Sequence, residues 1–176
     1  MRNFHRLAQG LTVAPLMTTL MRHPELWDAD TTRTGFQGSP HREASDILLR
    51  FGRASLDDMG PFDNRPAMTL LGAMSTALGV MQMVGGSELG RVLLTRLPPG
   101  GKILPHADEG AYARRMVRHQ LMIQCLPGNV FRCAGEELAP VTGDLFWFNN
   151  ALEHEVTNNS ADDRIAMVID ARIDAP

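Results

Sequence analysis

Only two cysteines occur among the 176 residues, Cys125 and Cys133. That is too few for a disulfide-built scaffold, and reduced thiols in a cytoplasmic protein are expected. Charge of one sign is also scarce. A formal net charge of -3 leaves no broad electrostatic footprint for nucleic acid. The polar start, Met1 to Arg6, is followed by no long apolar run, so no signal peptide is expected. Only residues 67–86 form a long uncharged stretch, and Thr69, Gly72, Ser75, Thr76, Gly79 and Gln82 interrupt it at near-helical spacing. A bilayer span asks for ~20 predominantly apolar residues. A helix buried against a sheet accounts better for the small-or-polar stripe, so no membrane segment is expected. No repeat at a fixed period is visible.

What is present is ordinary for a globular chain: 44% apolar and 21% charged residues. Length predicts one domain, 1–176. Within it, 1–90 reads as a helical, loop-rich N-terminal layer and 91–176 as a β core. Residues 1–10 look like a loose start. Leu16, Met17, Leu20 and Met21 predict a short helix over 12–22, ended by His23-Pro24. Residues 28–42 read as a long loop, 45–51 as a strand and 52–66 as a second loop. One helix is predicted from Ala67 to Val84, stopped by Gly85-Gly86. Its methionines are assigned to core packing, with a homodimer surface as the other use. Short strands and turns follow: 91–97, 102–106, 118–125, 130–134, 145–148, 153–157 and 164–173. Helices first and many short strands after predict a mainly β chain with N-terminal helices, folded as a barrel or jelly roll.

One triplet organises that β region, His106-Ala107-Asp108, with His154 and Arg164 further on. On an extended segment, residues i and i+2 point the same way, so His106 and Asp108 share a face. Two imidazoles and a carboxylate are the facial set that holds non-haem Fe(II) with positions open for a bidentate cosubstrate and O2. Arginine has the planar fork that pairs both oxygens of a carboxylate, which makes Arg164 an anchor for a diacid such as 2-oxoglutarate. Taken singly, an H-x-D triplet arises by chance. Arg164 could equally form a surface ion pair with Asp162, Asp163 or Asp170. The combination carries the argument. Glu153, Glu155 and Asn149 are near enough in sequence to support the ligands.

Several runs are specific together: Phe131 to Glu136, Gly143 to Asn150, Leu152 to Val156 and Asp163 to Asp170. Region 91–172 resembles the aspartyl/asparaginyl β-hydroxylase family of Fe(II)/2-oxoglutarate oxygenases. Leu26-Trp27 and the run Ser39-Pro40-His41 to Arg50 are similar to segments of its bacterial and phage members. The resemblance implies a double-stranded β-helix (jelly roll, cupin-like), Fe(II), 2-oxoglutarate, O2 and hydroxylation. It implies His106, Asp108 and His154 as catalytic metal ligands. Thr95, Arg118 and Arg164 would bind the cosubstrate. The family usually reads R-x-H where this chain reads Arg118-His119-Gln120. Gln120 or His119 then stands for the family histidine, and strand alternation favours Gln120.

Substrate contacts are expected from the N-terminal half and the loop after the triplet: Trp27, Arg33, His41, Asp46, Arg50, Glu109 and Tyr112. For each there is a blander use, such as an Asp46–Arg50 ion pair or Trp27 in the core. A small molecule or a peptide residue would be the substrate. Two alternatives remain at this stage, a cupin-type metalloenzyme that does not use 2-oxoglutarate and a non-catalytic cupin-like binding module.

Overall fold

The computed structural model describes residues 3–52 and 62–174. Most of the loop expected over 52–66 therefore lies outside the described residues. The chain begins with a strand, β1 (Phe4–Ala8), where a loose start was expected. It pairs along the edge of a sheet with residues 145–148. Edge pairing needs little local hydrophobic pattern, which is why the segment looked unstructured. Helix α1 (Ala14–Met21) buries Leu16 and Leu20 and ends before His23-Pro24, as expected. The long loop runs from there to β2 (Ser45–Phe51).

The predicted single helix is two. After β3 (Phe62–Asp63), α2 (Arg65–Thr69) and α3 (Leu71–Met83) meet at Leu70, whose φ of -104° and ψ of 52° break the helix. Leu70 is fully buried, so the break drives this side chain into the core. The buried face of α3 is Ala73, Ala77 and Val80. Small residues there let the helix lie close on the sheet. Met68 and Met83 are exposed rather than packed in the core. Among the described residues, no helix is long and apolar enough to cross a membrane.

From β4 (Glu88–Leu97) onward the chain is mostly strand. A turn with Gly100 at φ +77° leads to β5 (Lys102–His106), followed by a short helix, α4 (Gly110–Arg115), that the sequence did not suggest. Then come β6 (Val117–Gln124), β7 (Asn129–Cys133), β8 (Glu136–Leu138), β9 (Leu145–Phe148), β10 (His154–Asn158) and β11 (Arg164–Arg172). A seven-stranded sheet runs β1-β9-β6-β11-β4-β2-β3, and a four-stranded sheet runs β5-β10-β7-β8. All pairings are antiparallel. The two sheets close into a jelly roll.

Alternation along β11 divides the core. Ile165, Met167 and Ile169 join Leu16, Leu20, Ala73, Ala77 and Val80 in one cluster under the helices. Ala166 points the other way, among Leu97, Ile103, Met122, Phe131, Phe146, Phe148 and Val156 between the sheets. Arg164 and Asp170 share the parity of Ala166, so both polar side chains are delivered to the interior. The large sheet is thus covered on both faces, and its inner face can hold a shielded site.

Candidate active site and metal centre

His106 ends β5 and His154 opens β10, and the two are directly paired across the small sheet. Asp108 lies just beyond β5, and its N–H donates to Asn150 O at 2.8 Å. The ligand atoms of His106, Asp108 and His154 lie within 4.8 Å of one another. The imidazole rings are 4.3 Å apart between centroids. Each histidine is held in one tautomer. His106 Nδ1 is 2.7 Å from Leu104 O, and His154 Nδ1 is 2.9 Å from Leu152 O. A carbonyl only accepts, so Nδ1 carries the proton and Nε2 is left with its lone pair. Asp108 is prepared in the same way. Its Oδ2 accepts from Arg118 Nη1 at 2.7 Å and from Asn150 Nδ2 at 3.0 Å. Its Oδ1 faces His106 Nε2 at 3.8 Å. Three donor atoms of the types that suit a facial Fe(II) site are therefore available, and their other atoms are tied back.

The electrostatics match. Burial, and then the neighbouring His106, push His154 down to about 4. Burial also lowers His106. Both are neutral at pH 7, the form that binds metal. Burial alone would raise the Asp108 carboxyl. The Arg118 guanidinium, with His154 and the Asn150 hydrogen bond, outweighs it and holds the group below the ordinary carboxylate range.

Arg164 is 1% exposed and forms no salt bridge with a carboxylate among the described residues. Its Nη2 donates to Gln120 Oε1 at 2.8 Å and touches Met122 Sδ at 3.7 Å. Its Nε and Nη1 are buried without a hydrogen-bond partner among the described residues, and so is Thr95 Oγ1. Desolvation lowers the guanidinium to about 10. Register explains the grouping. Ala166 pairs with Thr95 on β4 and with Met122 on β6, and Val168 pairs with Gln120. Thr95, Arg164 and Gln120 thus come together on three adjacent strands. Gln120 faces the interior. His119 points to the opposite side of β6, across from Trp147. Phe148 lies against His154, with ring centroids 4.9 Å apart.

The other expected residues divide. The resemblance placed Arg118 on the cosubstrate. In the structure each of its three nitrogens meets Asp108 or Asp170, and the side chain also lines the inner cavity. Arg33 pairs with Asp46 at 2.8 Å, and its Nη2 donates to His41 Nδ1 at 2.9 Å. His41 packs edge-on against His106, with centroids 4.7 Å apart. The long N-terminal loop is thus pinned over the metal side chains. Tyr112 is buried under the Arg91 guanidinium, at 3.8 Å. Trp27 is not brought here. It packs on the helical cluster and against Arg96. Arg50 is not either, since it binds Asp63 and Leu89 O. The suggested Asp46–Arg50 pair does not form. Glu155 pairs with Arg132 at the surface. Asn150, missed beside the expected Asn149, is the amide that supports Asp108. The Asn149-Asn150 pair was the signal, and only the loop geometry chooses between them.

A cleft of about 290 Å3 opens onto this centre. Arg33, Phe36, His41, Glu109 and Tyr112 line it, together with His106 and Asp108. It continues inward as a narrow cavity of about 20 Å3, where Thr95, Gln120 and His154 are reached. A larger hollow of about 590 Å3, between Glu25 and Thr69, brings no histidine with it.

Comparison with known proteins follows the same lines. No curated protein matches the chain. A Pseudomonas putida prolyl-4-hydroxylase has the same fold, with a TM-score of 0.59 at 18% identity over 99% of this chain and 95% of that one. An oxidoreductase of the 2OG-Fe(II) oxygenase family from Burkholderia pseudomallei gives 0.60 at 17%, over 90% and 77%. The viral collagen prolyl hydroxylase of Paramecium Bursaria Chlorella virus-1 gives 0.55 at 10%, over 99% and 97%. The family model for aspartyl/asparaginyl β-hydroxylase matches residues 62–173. The chain belongs to the aspartyl/asparaginyl β-hydroxylase family and is an oxygenase enzyme of the hydroxylase type.

Proposed function

We propose that the protein is an Fe(II)- and 2-oxoglutarate-dependent hydroxylase that uses O2 on a small molecule or a peptide residue. His106 Nε2, Asp108 Oδ1 and His154 Nε2 would hold the metal. Arg164, with Thr95 and Gln120, would hold the far carboxylate of the cosubstrate. The observation that carries this reading is Arg164: a fully buried guanidinium bonded to Gln120, a side chain that lines the inner cavity with His106 and His154, with Nε and Nη1 finding no hydrogen-bond partner among the described residues. A buried charge without a partner costs several kcal/mol (roughly 3–5 when a partner is taken away). An acid ligand removes that cost. A cupin-type enzyme that uses no diacid gives Arg164 no such partner.

Fe(II) and 2-oxoglutarate, when bound, supply the O2 activation that hydroxylation needs. The chain's own residues do the rest. Leu104 and Leu152 carbonyls keep the two imidazoles oriented. Arg118 and Asn150 hold Asp108 ionised and turned. Phe131, Phe148 and Val156 exclude water from the inner end. Arg33, His41 and Tyr112, at the outer cleft, are the substrate-side contacts, with Asp46 holding Arg33 in place.

The test is an anaerobic titration of metal-stripped protein with Fe(II) and 2-oxoglutarate, followed by visible absorption. A charge-transfer band that needs both additions, and disappears in Arg164→Ala while Mn(II) binding persists, is expected. Metal binding with no band in the wild type sinks the cosubstrate assignment.

A further inference from the structure

We infer that Asp170 is a positioning residue for the metal centre, acting through Arg118 on Asp108. The inference rests on the metal site proposed above. It starts from the weakness of Asp108's own footing. Residues 107–109 lie outside any strand, and the backbone of Asp108 is fixed by a hydrogen bond to Asn150 O. Its carboxylate is turned by what grips Oδ2. One of those grips is Asn150, itself in a turn. The other is Arg118 Nη1 at 2.7 Å.

Arg118 is anchored elsewhere. Its Nε and Nη2 form a fork on Asp170 Oδ1 and Oδ2, at 2.8 and 2.9 Å. Asp170 is 1% exposed and stands directly opposite Arg118 in the β6–β11 register. A guanidinium is flat and rigid. Once its fork is seated, the direction of Nη1 is set, and so is the place of Asp108 Oδ2. The orientation of a loop-borne ligand is thereby referred to β11, inside the large sheet. The space for this is built in. A Cβ on Gly90 of β4 would stand 2.5 Å from Tyr112 Oη and 3.1 Å from both Cβ and O of Asp170. Gly90 thus lets Asp170 and the Tyr112 hydroxyl lie close beneath the guanidinium.

Charge points the same way. One guanidinium is shared between the buried Asp170 and the partly buried Asp108. Sharing Arg118 with Asp170 keeps the guanidinium from fully neutralising Asp108, which therefore stays a strong donor to a cation. Three of the five guanidinium N–H donors of Arg118 are taken up by the two carboxylates, whereas Arg164 has none on a carboxylate among the described residues.

The experiment is Mn(II) binding to the metal-stripped full chain, read by EPR of the free and bound ion, in wild type, Asp170→Asn and Arg118→Lys. Asp170→Asn keeps the shape and loses the charged fork. Arg118→Lys keeps the charge and cannot bridge two carboxylates. Both are expected to raise the Mn(II) Kd by about 10–100-fold and to change the line shape of the bound ion. A purely structural Asp170 would lower the melting temperature and leave that Kd alone. Either folded variant binding Mn(II) with the wild-type Kd and spectrum overturns the inference, and Arg118→Lys carries the test if Asp170→Asn does not fold. No Mn(II) uptake by wild type would instead remove the metal site itself.

Discussion

Arg164 donates from Nη2 to Gln120 Oε1 over 2.8 Å, in a place where Arg164 is 1% exposed and Gln120 6%. The two side chains meet across adjacent strands, β11 and β6, on the inner face of the large sheet. A neutral amide satisfies one donor and none of the charge. On the proposed reading, an anionic ligand completes the pair.

From that follows a test on Arg164 itself. Arg164→Met fills the same space without the buried charge. Replacing a poorly paired buried charge by an apolar side chain is often neutral or stabilising. The melting temperature of the ligand-free variant is expected to equal or exceed that of wild type. Charge-assisted hydrogen bonds contribute about 1.5–3 kcal/mol, so 2-oxoglutarate affinity should fall at least ~10-fold. Calorimetry of both proteins, with and without 2-oxoglutarate, checks both halves. A variant that melts several degrees lower would show that Arg164 is already well paired.

Gln120 supplies the opposite case. Gln120→Leu removes an acceptor and leaves the guanidinium with more unmet donors. It is expected to cost about 3 kcal/mol of stability. Gln120→His retains a ring nitrogen that can accept, and should cost less. Urea unfolding of the two variants side by side decides it. Equal stabilities would mean that Gln120 does not hold Arg164.

Four histidines, His41, His106, His119 and His154, have pKa values below the ordinary range, each chiefly through burial. In each the folded value lies below the unfolded one. Their stabilisation is therefore present above about 6.5 and is lost as pH falls toward the folded values, about 4 for His154. Metal-stripped protein should melt several degrees lower at pH 5 than at pH 7.5. Saturating Mn(II) at pH 7.5 should raise the melting temperature further, because the ion binds only the folded state. A flat profile between those pH values would contradict the buried, neutral histidines.

Burial pushes the Cys125 thiol up to about 11, with Asp144 adding to it against the pull of Arg164, and burial also raises Cys133. Both are inaccessible as well. At pH 8 the folded protein should react with iodoacetamide roughly 100-fold more slowly than a free thiol, and unfolding in urea should release both. Mass spectrometry after a timed pulse reads the result. Fast labelling of either cysteine in the folded chain would refute its assignment to the core.

How much of this was legible beforehand depended on the range of the interaction. Most strands from 91 onward were readable because apolar segments are separated by turns, but the short β8 (Glu136–Leu138), which exists by pairing with β7, was not. The break at Leu70 was not, since no proline or glycine marks it and only core packing requires it. β1 was missed for a related reason: its partner, β9, lies far along the chain and supplies the hydrogen bonds that make Phe4–Ala8 a strand.

By itself, the sequence determined the donor types and their order. His106 and Asp108 at i and i+2, a second histidine on a later strand, and Arg164 on the last one are local facts; strand geometry turns His106, His154 and Arg164 inward, while Asp108, beyond the end of β5, is fixed by its hydrogen bond to Asn150. The tertiary structure decided which atoms are free to act. The tautomers follow from carbonyls folded back onto Nδ1, and the free Oδ1 of Asp108 follows from two groups gripping Oδ2. The contacts of Arg118 with Asp108 and Asp170 come from the register that sets residues 118 and 170 face to face. A guanidinium binds whichever carboxylates the fold brings within its reach, and only the fold chooses them.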